Sequence, residues 1–296
     1  MMNTRKFWLI NALGNKFDLS DEEAKFSLVS PKGLGFEKNI EVDKNGSREK
    51  LLSEELSNID VTGELWFYDA GNGVLYEKYR EFISFIKYKP LEFHYLPPND
   101  IGGFYANVTI TKLEKEEIKK EKYMACPIVF HRLTQWLDNQ EHIISVSNVS
   151  TDTGKSYPLA RPYHYAGNSL SNILYSNNGT EDCGFIFTIN GEVINPQLSI
   201  YNSLGELSGK LKLDGTFDYV RIDSNEDAYT MELSYNGTIL SNPENYQDLS
   251  IADGNIDVTW LKLAVGVNNR AVFTCGNLAS FSGTVNFIYR DAFATV

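Results

Sequence analysis

The chain has 296 residues, with 27 Lys and Arg against 39 Asp and Glu and a net charge of −12. It is long enough for two cores, and 42% hydrophobic with 13% aromatic content excludes a disordered polymer. The negative balance excludes a nonspecific grip on nucleic acid, which needs a positive surface, although an acidic wall could let DNA pass.

The opening run Arg5-Lys6-Phe7-Trp8-Leu9-Ile10 is briefly signal-like, but Asn11 and Gly14 cut it short. No run approaches the roughly 18 apolar residues of a membrane span. The expectation is a soluble protein made in the cytoplasm. Phe7–Leu19 reads as two strands about a turn at Gly14-Asn15, and Asp18–Glu23 could start a short helix. Phe26–Val29 and Leu34–Val42 flank Ser30-Pro31-Lys32-Gly33, a turn signal. Residues 26–42 are therefore predicted to form a long hairpin. Its apolar residues have little of their own domain to fold against, which predicts a projecting arm. Asn45-Gly46 is a tight-turn dipeptide.

Ile59–Tyr68 has strand composition, with Val61, Leu65 and Phe67 on one side. After Ala70-Gly71-Asn72-Gly73, the residues Leu75, Tyr79, Phe82, Ile83 and Ile86 recur at three- and four-residue steps, which predicts a helix. Pro90 closes that helix. Leu91–Leu96 and Tyr105–Leu113 are predicted strands. Lys112–Lys122 would suit an exposed helix by its mixed charges, but alternation at Val108, Ile110, Ile128 and Phe130 favours a long hairpin with a solvated tip. Trp136–Gln140 marks a change of character. Residues 1–140 carry 19 Lys and Arg against 22 Asp and Glu, and residues 141–296 carry 8 against 17.

Beyond that point turn dipeptides punctuate the chain: Asn178-Gly179, Asn190-Gly191, Asp214-Gly215, Asn236-Gly237 and Asp253-Gly254. Between them Phe185, Phe187 and Ile189 share a face. So do Tyr229, Met231, Leu233 and Tyr235, and again Val285, Phe287 and Tyr289. Strands spaced in this way without helices predict a sandwich or jelly roll.

Candidate chemistry is thin. Thr151–Ser156 resembles the end of a phosphate-binding loop, but Val149 stands where a glycine is needed and Pro158 opposes the helix that should follow. Asp223–Asp227 opens like a calcium loop, but Ala228 and Ser234 replace the Gly and Glu that such a loop requires, which leaves at most a looser site on Asp223 and Asp227. His94, His131, His142 and His164 form no close ligand pair, and no Gly-x-Ser-x-Gly elbow occurs. Cys126, Cys183 and Cys275 are odd in number and widely spaced, and read as buried thiols. The sequons at Asn107, Asn148, Asn178 and Asn236 read as chance matches. The expectation is a structural or binding protein, not an enzyme, with no cofactor and no metal. Tyrosines of the second half, among them Tyr163, Tyr165 and Tyr246, could stack on sugars.

Several segments, taken in order, resemble the distal tail protein family of long-tailed phages and phage-like particles that infect Gram-positive bacteria. They are Leu9–Gly14 leading to Phe17-Asp18-Leu19, Pro31–Phe36, Thr62–Phe67 ahead of a helix, Lys112–Glu117 and Phe130–Leu137. In the second half they are Asn195-Pro196, Gly205-Glu206-Leu207 and Phe287–Arg290. The resemblance implies a mainly β fold in two domains. Residues 1–138 would be a ring-forming β-sandwich with one α-helix and a hairpin arm, and residues 139–296 a galectin-like or jelly-roll β-sandwich. It implies a hub at the virion tail tip: a homo-hexameric ring between the tail tube protein and the tail-associated lysin or fibre protein, with DNA passing the lumen as cargo. The second domain would be free to meet receptor-binding proteins or host cell-wall carbohydrate. Leu28, Val29, Pro31, Leu34 and Phe36 are the expected ring contacts, since they are the arm's own apolar residues. The rival expectation is a carbohydrate-binding adhesion module using Tyr163, Tyr165 and Tyr246.

Overall fold

Strands form where alternate residues can be buried on one face, and that pattern accounts for most of this chain. The structure, a computed structural model, describes residues 5–20, 26–45, 48–57, 60–68, 74–98, 102–116, 123–147, 173–226, 228, 230–235, 238–241 and 261–296. It comprises two units, Met1–Asn139 together with Phe293–Val296, and Gln140–Ala292. The last four residues thus belong with the first unit, which an uninterrupted second domain running to residue 296 did not anticipate.

The first unit contains β1 (Lys6–Asn11), β2 (Lys16–Asp18), β3 (Phe26–Lys32), β4 (Glu37–Asn45), β5 (Arg48–Ser57), β6 (Val61–Tyr68), α1 (Val74–Phe85), β7 (Leu91–Leu96), β8 (Phe104–Leu113), β9 (Tyr123–Arg132) and β10 (Trp136–Asp138). Its main sheet runs β2-β1-β7-β8-β9-β6-β3, with β10 also beside β8. The sheet curls until its ends meet: the Leu28 N–H donates to the Leu19 carbonyl at 2.7 Å, and Leu19 N–H to Phe7 at 2.8 Å. One curled sheet therefore supplies both layers. Phe7, Leu9, Leu65, Phe67, Phe93, Val108, Ile128 and Phe130 fill the inside. The helix lies over this core, burying Leu75, Phe82 and Phe85. The Phe82 ring stands 5.2 Å from Phe17 and 5.7 Å from Phe26, in the offset contacts aromatic rings prefer.

The hairpin predicted over residues 26–42 is corrected here. Phe26 pairs with Phe67 and Leu28 with Leu65, so β3 belongs to the main sheet beside β6. Those partners bury Phe26 and Leu28, which a hairpin in solvent could not do. The free hairpin is instead β4–β5, reversing between Asn45 and Arg48. The strands on either side of the charged run do pair, β8 with β9, while residues 117–122 lie outside the described residues. Asp18–Glu23 does not start a helix in its described part, because Asp18 ends β2, and residues 21–25 lie outside the described residues.

The second unit contains β11 (His142–Ser147), β12 (Ile173–Asn177), β13 (Phe185–Ile194), β14 (Gln197–Tyr201), β15 (Leu207–Lys212), β16 (Thr216–Asp223), β17 (Thr230–Tyr235), β18 (Thr238–Ser241), β19 (Gly266–Thr274) and β20 (Thr284–Tyr289). The short β21 (Ala292–Phe293) follows as the chain passes into the first unit. A six-stranded sheet, β11-β20-β13-β16-β17-β18, and a four-stranded sheet, β12-β19-β14-β15, make its two layers. Phe187 and Phe273 meet across them at 5.9 Å, and Phe185 stacks on Phe287 at 4.6 Å. Asn190-Gly191 is not a turn. Strand β13 runs through it with a register shift between Asn190 and Val193. Gly191, at φ 122°, lies where a Cβ would stand 2.8 Å from the Gly283 Cα, so the bulge needs glycine.

The three thiols are free. Cys126 and Cys183 are buried as expected, and Cys275 is only half-buried; burial pushes all three thiols up, so they stay protonated at neutral pH. In the second core, burial raises both Cys183 and Tyr175, and Asp291 and Asp182 add to the rise at Cys183. Both groups are neutral when protonated, so the stability they lend is complete below their unfolded values, about 8.5 for Cys and 10 for Tyr. It drains as pH rises from those values toward the raised folded ones. The unfolding free energy of this unit should fall by about 1.4 kcal/mol per pH unit for each such group. Denaturant titrations at pH 7, 9 and 10 test this, and Cys183→Ala should flatten the fall that begins near pH 9. An equally steep decline in that variant would remove Cys183 as the cause.

Candidate functional site

Among the described residues β4 and β5 pair with each other and with no other strand. A two-stranded ribbon alone is marginal in water. Its faces follow from the pleat. Lys38, Ile40, Val42 and Lys44 alternate on one side of β4, and Glu37, Asn39, Glu41 and Asp43 on the other. Leu51 stands opposite Val42, and a bulge between Glu41 and Val42 sets Leu52 beside it as the extra residue. The result is an apolar strip, with Ile40 62% exposed, Leu51 52% and Leu52 53%. Lys38–Glu54 and Lys44–Glu49 (2.9 Å) tie the strands near its two ends. Those pairs are exposed and add little by themselves. The reverse face is acidic, and Glu41 accepts from Ser53 at 3.2 Å.

The arm leaves the sheet through a constrained root. Ser30 has φ 50° and Gly33 φ 87°, and a Cβ on Gly33 would lie 2.0 Å from the Asp60 carbonyl oxygen. Of the expected ring contacts, Leu28 is in the core and Leu34 packs against it. Val29 and Pro31 are half-buried on β3, and Phe36 is exposed where β4 begins, with the Lys38 ammonium 5.7 Å from its ring. The structure thus separates the five residues, leaving Phe36 alone beside the hairpin. Ile40, Leu51 and Leu52 were overlooked, although alternation over residues 37–45 next to Asn45-Gly46 was the signal for them.

The other candidates fall as follows. His94 is sandwiched between Trp8 (5.0 Å) and Tyr105 (5.3 Å), with Glu92 on its Nε2 at 2.9 Å. His131 Nδ1 meets Asp60 at 2.7 Å, and His142 lies 3.4 Å from Asp291. Asp223 accepts from Arg221 (2.9 Å) and from the Asn225 backbone and side chain (3.2 and 2.8 Å), so its carboxylate ties down its own loop. Among the described residues no group of three His, Cys, Asp or Glu could hold a metal. No described helix is long and apolar enough to cross a membrane. Tyr163, Tyr165, Tyr246, His164, Asp227 and the phosphate-loop-like segment 151–156 lie outside the described residues.

Among the described residues the first unit combines a curled sheet, one helix and an amphipathic ribbon, and the second unit is built from strands. Residues 6–133 match the family model described as distal tail protein, N-terminal domain, a span from β1 to β9. No curated protein matches the chain. Among solved structures, a chain of the phage P2 baseplate in its activated conformation with calcium is similar at TM-score 0.59 and 14% identity, over 99% of this chain and 100% of that one. The SPP1 Dit protein, described as a paradigm of the hub adsorption apparatus in phages infecting Gram-positive bacteria, is similar at TM-score 0.57 and 10% identity, over 95% and 98%. These likenesses show that the fold is shared through both units.

Proposed function

We propose that this protein is the structural hub of a phage or phage-like tail tip. Six copies form a closed ring joining the tail tube protein to the tail-associated lysin or fibre protein. The observation that carries this is the exposed apolar strip of the β4–β5 hairpin, on a unit that matches the distal tail protein N-terminal model: Ile40, Val42, Leu51 and Leu52 need a surface, and a second copy of the same unit supplies one. One such head-to-tail contact, repeated until it closes, builds a ring. The net charge of −12 suits a lumen through which DNA slides without sticking. The second unit carries most of that charge, so repulsion favours it at the rim. There it is free to meet receptor-binding proteins or wall carbohydrate. In this reading the protein performs no hydrolysis and needs no cofactor.

Light scattering of the purified chain tests it. The expected mass is six times the 33.5 kDa chain, and a single-chain mass at high concentration would refute the ring. A variant in which a flexible linker replaces residues 140–292, retaining Phe293–Val296, should still close. Loss of the ring in that variant would place the interface in the second unit.

A further inference from the structure

The segment Phe293–Val296 lies at the root of the arm. Leu34, midway between the end of β3 and the start of β4, offers its carbonyl to two donors, the Val296 N–H and the Thr295 hydroxyl, each at 3.3 Å. Phe293 meets Phe104 edge-on at 5.2 Å, and Phe293, Val296 and Leu34 all pack against the core of the first unit. Residues 33–36 belong to no strand, so no ladder fixes the direction in which the chain leaves β3. What fixes it is the seat of Gly33 against the Asp60 carbonyl, the Leu34 side chain, and this segment bonded to the Leu34 carbonyl.

We propose that Phe293, Thr295 and Val296 are positioning residues for the arm: a clasp, 261 residues away in sequence, that sets the angle at which β4–β5 projects. Small angles matter here. A nine-residue strand is about 30 Å long, so a turn of about 10° at its root moves its tip by about 5 Å, roughly one strand spacing. A loosened clasp would carry Ile40 and Leu51 off the surface they cover. This consequence for assembly rests on the hub reading; the clasp itself does not.

The test uses full-length chains carrying Phe293→Ala, Thr295→Val or Val296→Pro, the last lacking the N–H that reaches Leu34. Limited trypsin digestion of dilute protein compares cleavage after Lys32, at the root, with cleavage after Lys44 and Arg48, at the tip. Freeing the root should speed cleavage after Lys32 by about tenfold in Phe293→Ala and Val296→Pro while the tip is cut as before. The same variants should need about tenfold more protein to form the ring. Thr295→Val, a change at an exposed site that removes one hydrogen bond, gives a smaller shift in the same direction and guards against a folding defect in Phe293→Ala. Unchanged cleavage after Lys32 would overturn the clasp. Faster cleavage with undiminished ring formation would overturn its positioning role. A wild-type chain that never forms a ring would sink the hub reading and leave the Lys32 measurement to judge the clasp alone.

Discussion

Replacing Ile40 and Leu51 together by Asp is expected to turn the ring into single chains while both units stay folded. Each side chain is more than half exposed in the single chain, so folding has little to lose, within about 0.5 kcal/mol for such surface changes. The interface has much to lose. Each aliphatic side chain forgoes about 1.5–3 kcal/mol of burial, and each new carboxylate would have to be stripped of water against an apolar surface. Some 4 kcal/mol or more per contact weakens association about a thousandfold, and a ring suffers that loss at every repeat. Sedimentation or light scattering reads the mass, and circular dichroism melting reads the fold. Asn39→Asp, on the opposite face of the same strand, is the control and should assemble normally. If the double variant keeps the wild-type mass, the apolar strip is not the ring contact. Leu34→Asp would be a poorer probe, since Leu34 packs on the core and its loss confuses folding with assembly.

Gly33→Ala should destabilise the first unit by about 3 kcal/mol, lowering its melting temperature by about 10 °C, while Gly35→Ala, two residues on, should be near neutral. Gly33 has φ 87°, and a methyl there would meet the Asp60 carbonyl oxygen at 2.0 Å, with backbone on both sides of the clash. The left-handed conformation alone costs a non-glycine residue about 1–2 kcal/mol, and displacing Asp60 adds to it, because that residue also holds His131 at 2.7 Å. At Gly35 nothing lies within 4 Å of the added methyl. Thermal melts of the two variants decide the matter. Equal stability would mean that the arm's root is softer than its contacts imply.

The helix could be read from the spacing of Leu75, Tyr79, Phe82, Ile83 and Ile86; Leu75 and Phe82 are buried, Tyr79 and Ile86 pack against the core, and Phe85, which that stripe left out, is buried as well. The faces of β6, β13 and β20 could be read because alternation is local: Val61, Leu65 and Phe67 are all fully buried. The arm was only half legible. A hairpin arm was expected, but on the strength of Leu28 and Leu34, which have their home in and against the core. Which residues form it was not legible, because Pro31 and Gly33 look like a hairpin tip, whereas Pro31 lies in β3 and Gly33 begins the stretch that leads out of it. Asn45-Gly46, noted only as a tight turn, was the better signal. Asn190-Gly191 erred in the opposite sense. A turn dipeptide was absorbed as a bulge because Gly191 can lie against Gly283, a neighbour that arrives nearly a hundred residues later.

By itself, then, the sequence determined the mainly β character, the helix after Gly73, the change of character near Trp136 and the buried faces of strands such as β6, β13 and β20. All of these depend on residues within a few positions of one another. Only the tertiary structure decided that Phe26 and Leu28 pair with Phe67 and Leu65, that among the described residues β4 and β5 pair only with each other, and that Phe293–Val296 returns to Leu34. The pleat says which side of a strand is buried but not against which strand, because the choice of partner rests on long-range packing that no local period records.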